Sequence, residues 1–180
     1  MTEAKELTRI PVIETDRFVL RPMRPSDAGL LSLYAGDERV ARNTTRIPHP
    51  YPPGAAEAFI ARSLELPSGA MTWALDGSAA NLSEVLGTIS LRPMDRGQSE
   101  IGYWVAPAFW GTGIASSAVR AVVSANPFAD QTFFATVFQD NAASARVVTN
   151  NGFEYLGEAE AYSVARQATV PTWTYLRKLG

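Results

Sequence analysis

The stretch Glu100-Ile101-Gly102-Tyr103-Trp104-Val105-Ala106-Pro107-Ala108-Phe109-Trp110-Gly111-Thr112-Gly113-Ile114-Ala115 decides the fold. It reads as a strand, Glu100 to Val105, running into a short loop, after which Gly111-Thr112-Gly113 starts a helix. That helix runs from 111 to Asn126, with Ile114, Ala118, Val119 and Val122 along one stripe, and Asn126-Pro127 ends it. Glycines at such a junction let the backbone approach a ligand closely. The first helical turn adds free N–H groups and the positive end of the macrodipole. Together they make a site for a phosphate or pyrophosphate, although a Gly-x-Gly before a helix serves equally as plain tight packing.

Two phosphate-binding alternatives fail on detail. No Gly-x-x-x-x-Gly-Lys-Ser/Thr loop occurs in the chain. The dinucleotide fingerprint requires a third glycine where Ser116 stands, and it belongs in the first βαβ unit rather than mid-chain.

Working outward from this stretch, Arg17 to Pro22 reads as a strand stopped by proline. Pro25-Ser26-Asp27 opens a helix to about Gly36, with Leu30, Leu31, Leu33 and Tyr34 as its apolar positions. Gly36 to Gly54 is loop-rich, and Ala55 to Leu66 is a second helix ended by Pro67. Met71–Leu75 and Val85–Leu91 join Glu100–Val105 in an antiparallel meander. On the other side come a strand over Thr132–Phe138, a helix over Asn141–Asn151 capped by Gly152, and closing strands at Phe153–Gly157 and Thr172–Leu179. The second half therefore contains a β-α-β crossover with parallel pairing inside a mixed sheet. The expectation is a single α/β (mixed α+β) domain over 1–180, with 1–14 a loose leader.

Composition narrows the function classes. Of 180 residues, 46% are hydrophobic and 19% charged, as in an ordinary globular chain. Sixteen basic and eighteen acidic residues give a formal charge of −2, which does not suggest strong nucleic-acid binding. With no cysteine there is no disulfide, Fe–S cluster, cysteine-based zinc site or thiol nucleophile. The one histidine, His49, lies in the proline-rich stretch 47–53 and reads as a solvent-exposed loop residue. The polar N-terminus lacks the apolar core of a secretion signal, and no apolar run is long enough to span a membrane, so a cytoplasmic location is expected.

A second chemical segment is Asp140-Asn141-Ala142-Ala143-Ser144-Ala145-Arg146-Val147-Val148-Thr149-Asn150-Asn151-Gly152-Phe153. Asn141 and Ser144 are three apart and share one helical face near the N-terminus. That face is able to point into a cleft beside the preceding strand, or the pair is simply a helix cap.

Taken together, these segments resemble the GNAT superfamily of N-acetyltransferases, and within it the RimJ/RimL-like branch of ribosomal-protein N-terminal acetyltransferases. The likeness is carried by Glu14 to Pro22 with Pro25 to Ala28, by Val85 to Leu91, by Glu100 to Ala115 and by Asn141 to Phe153, in that order. It implies a central mixed sheet of six to seven strands, splayed between strands 4 and 5 and flanked by about four helices. It implies acetyl-CoA as cosubstrate. Backbone groups around Trp104 and Val105 would pair with the pantetheine arm, and the turn through Trp110, Gly111, Thr112, Gly113, Ile114 and Ala115 would hold the pyrophosphate. Asn141 and Ser144 would line the slot near the thiol. The loop from Arg39 to Gly54 would set acceptor choice, and homodimerisation rests on the resemblance alone.

The chain departs from the family pattern at several positions. Ala108 stands where Gln or Arg is frequent, Ser117 where an acidic residue is usual, and Thr136 where some members carry a glutamate base. Val148 stands where many relatives place a tyrosine general acid, so no phenol acts from that position.

The chemistry implied is aminolysis of a thioester. It needs a neutral amine, a donor for the developing oxyanion and a hydrogen bond or proton for the departing sulfur. A backbone N–H on the splayed strand suits the oxyanion, and placement of the amine supplies much of the rate. Glu100 is the candidate base, acting through water, with a strand-end surface charge as the other reading. Ser144 is the candidate hydrogen-bond donor to sulfur. Trp104 shares a strand face with Glu100 and Gly102 by period two and belongs nearest the cleft. An α-amine of pKa near ~8 needs less help than a lysine near ~10.4, which favours a protein or peptide N-terminus or a weakly basic small-molecule amine. The rival from another class is a non-catalytic acyl-CoA-binding or sensor domain.

Overall fold

A computed structural model describes residues 9–65 and 70–179; alternation of buried side chains marks the strands at 98–105 and 132–138, whereas the strand at 71–76 is buried on both faces. In chain order the elements are β1 (Ile13–Glu14), β2 (Val19–Pro22), α1 (Ala28–Ala35), α2 (Glu38–Ala41), α3 (Ala55–Ser63) and β3 (Met71–Asp76). Then follow β4 (Gly87–Met94), β5 (Gln98–Val105), α4 (Ile114–Ala125), β6 (Thr132–Phe138), α5 (Ala142–Asn150), β7 (Glu154–Ser163) and β8 (Ala168–Lys178).

The strands form one sheet in the order β1-β2-β3-β4-β5-β6-β8-β7. Every neighbouring pair is antiparallel except β5 and β6, which α4 joins as a parallel crossover. Side chains on one face, among them Trp73, Ile89, Ile101, Val105, Phe133 and Ala135, bury against α4 and α5. The stripe Ile114, Ala118, Val119 and Val122 is at most 2% exposed, as its spacing predicts. On the opposite face Ala74 packs with Met23, Leu31, Ala56 and Ile60, and Trp104 leans on that smaller cluster.

Several sequence expectations need correction. The described residues hold eight strands and five helices rather than six to seven and about four. The additions are β1 and the four-residue α2, both too short to show a period. Residues 9–14 are not a loose leader: Ile10 is 5% exposed, Pro11 accepts the Trp73 indole N–H at 2.8 Å, and Ile13 pairs with Leu20. Because β1 precedes them, the strands expected as 4 and 5 are β5 and β6.

β7 and β8 run well past their expected limits, to Ser163 and back from Ala168. β7 is a sheet edge with mostly exposed side chains, so it carries no apolar alternation to read. Leu33, expected in the α1 stripe, is exposed, and Leu31 and Ala35 take the core positions. α3 ends at Ser63; the expected end at Leu66-Pro67 lies outside the described residues. No helix among the described residues is long and apolar enough to cross a membrane.

A buried ionic knot fixes the start of the sheet. Arg21 donates from Nε to Asp76 Oδ2 at 2.7 Å and from Nη2 to Asp27 Oδ1 at 2.8 Å. Asp27 closes the turn ahead of α1 by accepting from the Arg24 backbone N–H at 2.8 Å.

Candidate active site

β5 and β6 are in register at only three positions, Gln98↔Thr132, Ser99↔Phe133 and Glu100↔Phe134. β5 then continues to Val105 and β6 to Phe138 without pairing, so the sheet opens into a gap at Glu100. The direction of the free backbone groups follows from the β4–β5 ladder. Ala106 donates to Leu86 O at 2.8 Å, and in an antiparallel pair such bonded residues alternate with residues whose groups point away. Tyr103 and Val105 therefore turn their backbone groups toward the gap, whereas the Trp104 backbone is spent on Thr88 of β4. This corrects the expectation for Trp104: its backbone does not line the gap, although that of Val105 does. Within Val105 the carbonyl is occupied, accepting from Trp110 Nε1 at 2.7 Å.

Just beyond Val105 the chain makes a short turn, Pro107–Phe109, and reaches α4 through Gly111 at φ 74° and Gly113 at φ 80°. These left-handed conformations are the reason both are glycine. A β-carbon on Gly111 would meet nothing within 4 Å, so the turn faces open space. Gly113 is the α4 N-cap and provides no side-chain cap, which leaves the first-turn N–H groups available. Ile114 points into the core at 2% exposure and Ala115 packs on that core, so both face the turn with backbone only. Thr112 Oγ1 is used locally, donating to Phe109 O at 2.5 Å. Ser117 lies further along, in a shallow cleft with Glu14, Arg17 and Arg120.

The two sheet faces present different chemistry at the gap. Glu100 and Trp104, with the open Gly102 between them, lie on the α1–α3 face. Glu100 is paired with Arg92 of β4, and its other oxygen is 3.4 Å from Thr136 Oγ1 on β6. It is thus the third residue of β5 rather than the first, at the rung where the strands part. On the α4–α5 face, Asn141 N-caps α5, its Oδ1 accepting from the Ser144 N–H at 3.2 Å. Ser144 Oγ stands 2.8 Å from the Tyr103 hydroxyl, which reaches across from β5. Val148 is fully buried in the core, so its position offers no polar group. Asn141 and Ser144 are therefore together, and Glu100 is on the opposite face from both.

A strap closes the far end of the gap. Arg39 sits over the Trp110 ring at 5.8 Å, on the lip that follows β5. On the lip that follows β6, Asp140 takes Arg166 at 2.6 Å and Arg42 at 3.8 Å. Arg166 also donates to Arg42 O at 2.8 Å, and Val164 donates to Thr45 O at 3.1 Å. Burial of His49 differs from its expected exposure: the residue is half-buried, and Nδ1 is enclosed without a partner among the described residues.

Two residues were read from the sequence without the contacts they make here: Tyr103 counted only as one of the aromatics of an acceptor pocket or core, and Arg17 only as the start of a strand. Tyr103 lies on the face opposite Trp104, and the same period-two count would have put it toward the following helices. Arg17 reaches over the glycine turn, donating from Nη1 to Thr112 O at 2.7 Å, with Nη2 3.4 Å from where a Gly113 β-carbon would stand. No local signal links positions 95 residues apart.

The acetyltransferase (GNAT) domain model matches residues 17–154, which include strands β2 to β6, the glycine turn and α5. The chain belongs to this family. As a GNAT acetyltransferase it uses acetyl-CoA as cosubstrate and transfers acetyl to an amine. It is similar to the uncharacterized N-acetyltransferase YoaA of Bacillus subtilis (strain 168), at 28% identity over 161 residues, 84% of this chain and 88% of that one. Among solved structures it shares the fold of RimL, the ribosomal L7/L12 alpha-N-protein acetyltransferase, in complex with coenzyme A. That match has a TM-score of 0.80 at 18% identity, covering 94% of this chain and 98% of that one. It also shares the fold of spermidine N-acetyltransferase from Vibrio cholerae in complex with CoA and spermine. Here the TM-score is 0.75 at 12% identity, covering 92% and 97%.

Proposed function

We propose that this GNAT acetyltransferase acetylates the free α-amine of a protein or peptide by direct attack within a ternary complex. The observation that carries the reading is the gap that opens at Glu100↔Phe134 directly ahead of an α4 N-terminus free of any side-chain cap. Acetyl-CoA, when bound, supplies the thioester carbonyl and the thiol leaving group. The residues of this chain do the rest. N–H groups of the turn from Gly111 to Ala115 bind the pyrophosphate, and Arg17 adds charge beside them; the Trp110 N–H, expected among them, is spent on Pro107 O at 3.1 Å. The gap-facing groups of Tyr103 and Val105 hold the pantetheine amides as a neighbouring strand would. Asn141 fixes the first turn of α5, and Ser144 gives a hydrogen bond to sulfur. Glu100, from the other face, takes the proton that the attacking amine releases, through a water.

RimL, named for its action on a protein α-amine, supports the α-amine class. A small-molecule amine is the second reading. Glu100 and Trp104 flank the open Gly102, a carboxylate and an aromatic face suited to a compact cation, and a spermine-bound relative shares the fold. A cytoplasmic location is supported by the ribosomal-protein target for which RimL is named, and a homodimer is in keeping with the family.

The test is a thermal-shift comparison of acetyl-CoA, CoA and NAD, followed by CoA release across peptide N-termini, lysine side chains and polyamines. Stabilisation by the two CoA species alone, with turnover fastest on an α-amine, is expected. Faster turnover on lysine overturns the acceptor assignment. Binding of acetyl-CoA with no release on any amine favours a sensor domain.

A further inference from the structure

The hydroxyl of Tyr103 is a polar group at the gap that the proposed mechanism leaves unused. It crosses from β5 to α5 and stands 2.8 Å from Ser144 Oγ and 3.3 Å from the Ser144 carbonyl oxygen. Ser144 is held a second time, by its backbone N–H on Asn141 Oδ1. Two hydroxyls that share one hydrogen bond have two protons between them. One lies in the shared bond and the other is free to point elsewhere. Which hydroxyl keeps the outward proton decides whether Ser144 is a donor or an acceptor toward the gap.

Two features choose between the arrangements. The carbonyl alternative for the phenol proton is the longer contact, and a carbonyl inside α5 already serves the helical ladder. Burial pushes the Tyr103 phenol up to about 12, and the hydrogen bond to Ser144 lowers it by less, so the phenol stays protonated through the neutral range. We propose that Tyr103 is a positioning residue whose O–H donates to Ser144 Oγ, so that the Ser144 O–H is turned outward as a donor to the departing sulfur. This rests on the reading of the site as an acetyl-transfer centre.

In the step concerned, the amine nitrogen forms a bond to the acetyl carbon and the C–S bond breaks. The electron pair of that bond goes to sulfur, where the Ser144 O–H bonds to it. A thiol has a pKa near ~8.5, well below that of the phenol, so neither hydroxyl gives up its proton. The proton released by the amine leaves through Glu100 or water and balances the charge. Tyr103 thus supplies from β5 an orientation that the buried Val148 position cannot supply from α5.

The experiment measures kcat and both KM values for wild type, Tyr103→Phe, Ser144→Ala, Ser144→Thr and the Tyr103→Phe/Ser144→Ala double variant. Tyr103→Phe is expected to lower kcat about tenfold while the KM for acetyl-CoA stays within about twofold. Ser144→Ala should lower kcat at least as much, Ser144→Thr should retain most of it, and the double variant should be no worse than Ser144→Ala. Wild-type kcat in Tyr103→Phe, a raised KM with kcat unchanged, or additive losses in the double variant overturns the inference. If Tyr103→Phe does not fold, the Ser144 pair decides: equal kcat in Ser144→Ala and wild type overturns it. A wild-type chain that releases no CoA overturns the underlying reading, and this inference with it. A wild type that turns over while Tyr103→Phe matches it overturns this inference alone.

Discussion

Gly87 of β4 lies directly opposite Val105 of β5, so close that a β-carbon on Gly87 would stand 2.1 Å from the Trp104 carbonyl oxygen and 2.8 Å from the Val105 Cα. The contact is with backbone, which has no rotamer to yield. Gly87→Ala is therefore expected to displace β5 toward the gap at the level of Tyr103 to Val105. Overpacking of this kind costs about 1–3 kcal/mol of stability. Calorimetric titration with acetyl-CoA should show at least about a tenfold weaker Kd, equivalent to ~1.4 kcal/mol. An unchanged Kd would mean that the edge of β5 does not hold the cosubstrate.

The glycine turn and Arg17 make separable contributions. Gly111→Asp forces a side chain onto φ 74° and sets a carboxylate before the α4 N-terminus, where a phosphate would otherwise bind. Acetyl-CoA should then give no thermal shift. Arg17→Ala leaves the turn intact and removes one charge, so binding should weaken about tenfold and lose part of its salt dependence. Equal shifts in Arg17→Ala and wild type would confine Arg17 to its bond with Thr112.

Acceptor access should be separable from cosubstrate binding at Gly102. A β-carbon there meets nothing within 4 Å, and the position lies between Glu100 and Trp104 on the face away from α4. Gly102→Leu is expected to raise the KM for the amine several-fold while the Kd for acetyl-CoA stays within about twofold. Steady-state kinetics beside direct binding checks this. Loss of both together would place Gly102 on the cosubstrate side.

Acid stability tests the ionic knot. Desolvation raises the Asp76 pKa, but the hydrogen bonds from Arg21 and from Ser78 outweigh it, and the carboxyl is held below its ordinary value. The stability this contributes is complete above the unfolded aspartate pKa of about 3.9 and is lost as pH falls through the depressed folded value. Asp76→Asn should cost about 3 kcal/mol at neutral pH, because Arg21 keeps Asp27 as a partner. Urea unfolding should also show a flatter decline below pH 4 for the variant. Parallel acid limbs in variant and wild type would assign acid sensitivity elsewhere.

The parts of this molecule legible in its sequence are those where a local period meets a local breaker. The alternation of Ile101, Tyr103 and Val105 against Gly102 and Trp104, followed by two glycines and the Ile114–Val122 stripe, fixes a strand, a turn and a helix from neighbours alone. The parallel crossover to β6 follows from the helix between them. β1 and α2 are too short to carry a period, and β7 has almost no buried face to reveal one. In the candidate site, the cap at Asn141 and the shared face of Glu100 and Trp104 are local relations and were readable. The Tyr103–Ser144 contact spans 41 residues and that of Arg17 with Thr112 spans 95. Such pairings are products of sheet order, which no single segment encodes.

The strap across the lips of the gap rests on different material from the sheet beneath it. Rungs and apolar side chains hold β5 and β6 together, whereas Arg39 on Trp110 and Arg42 and Arg166 on Asp140 are attachments at the surface. Substitutions among these few residues leave the core untouched, because none of them is part of it. The fold thus divides heritable change into two compartments. One is the packed sheet with its helices; the other is a layer of surface charge whose residues exchange without loss of core packing. A lineage of such proteins can edit the clasp without rebuilding the sheet beneath it.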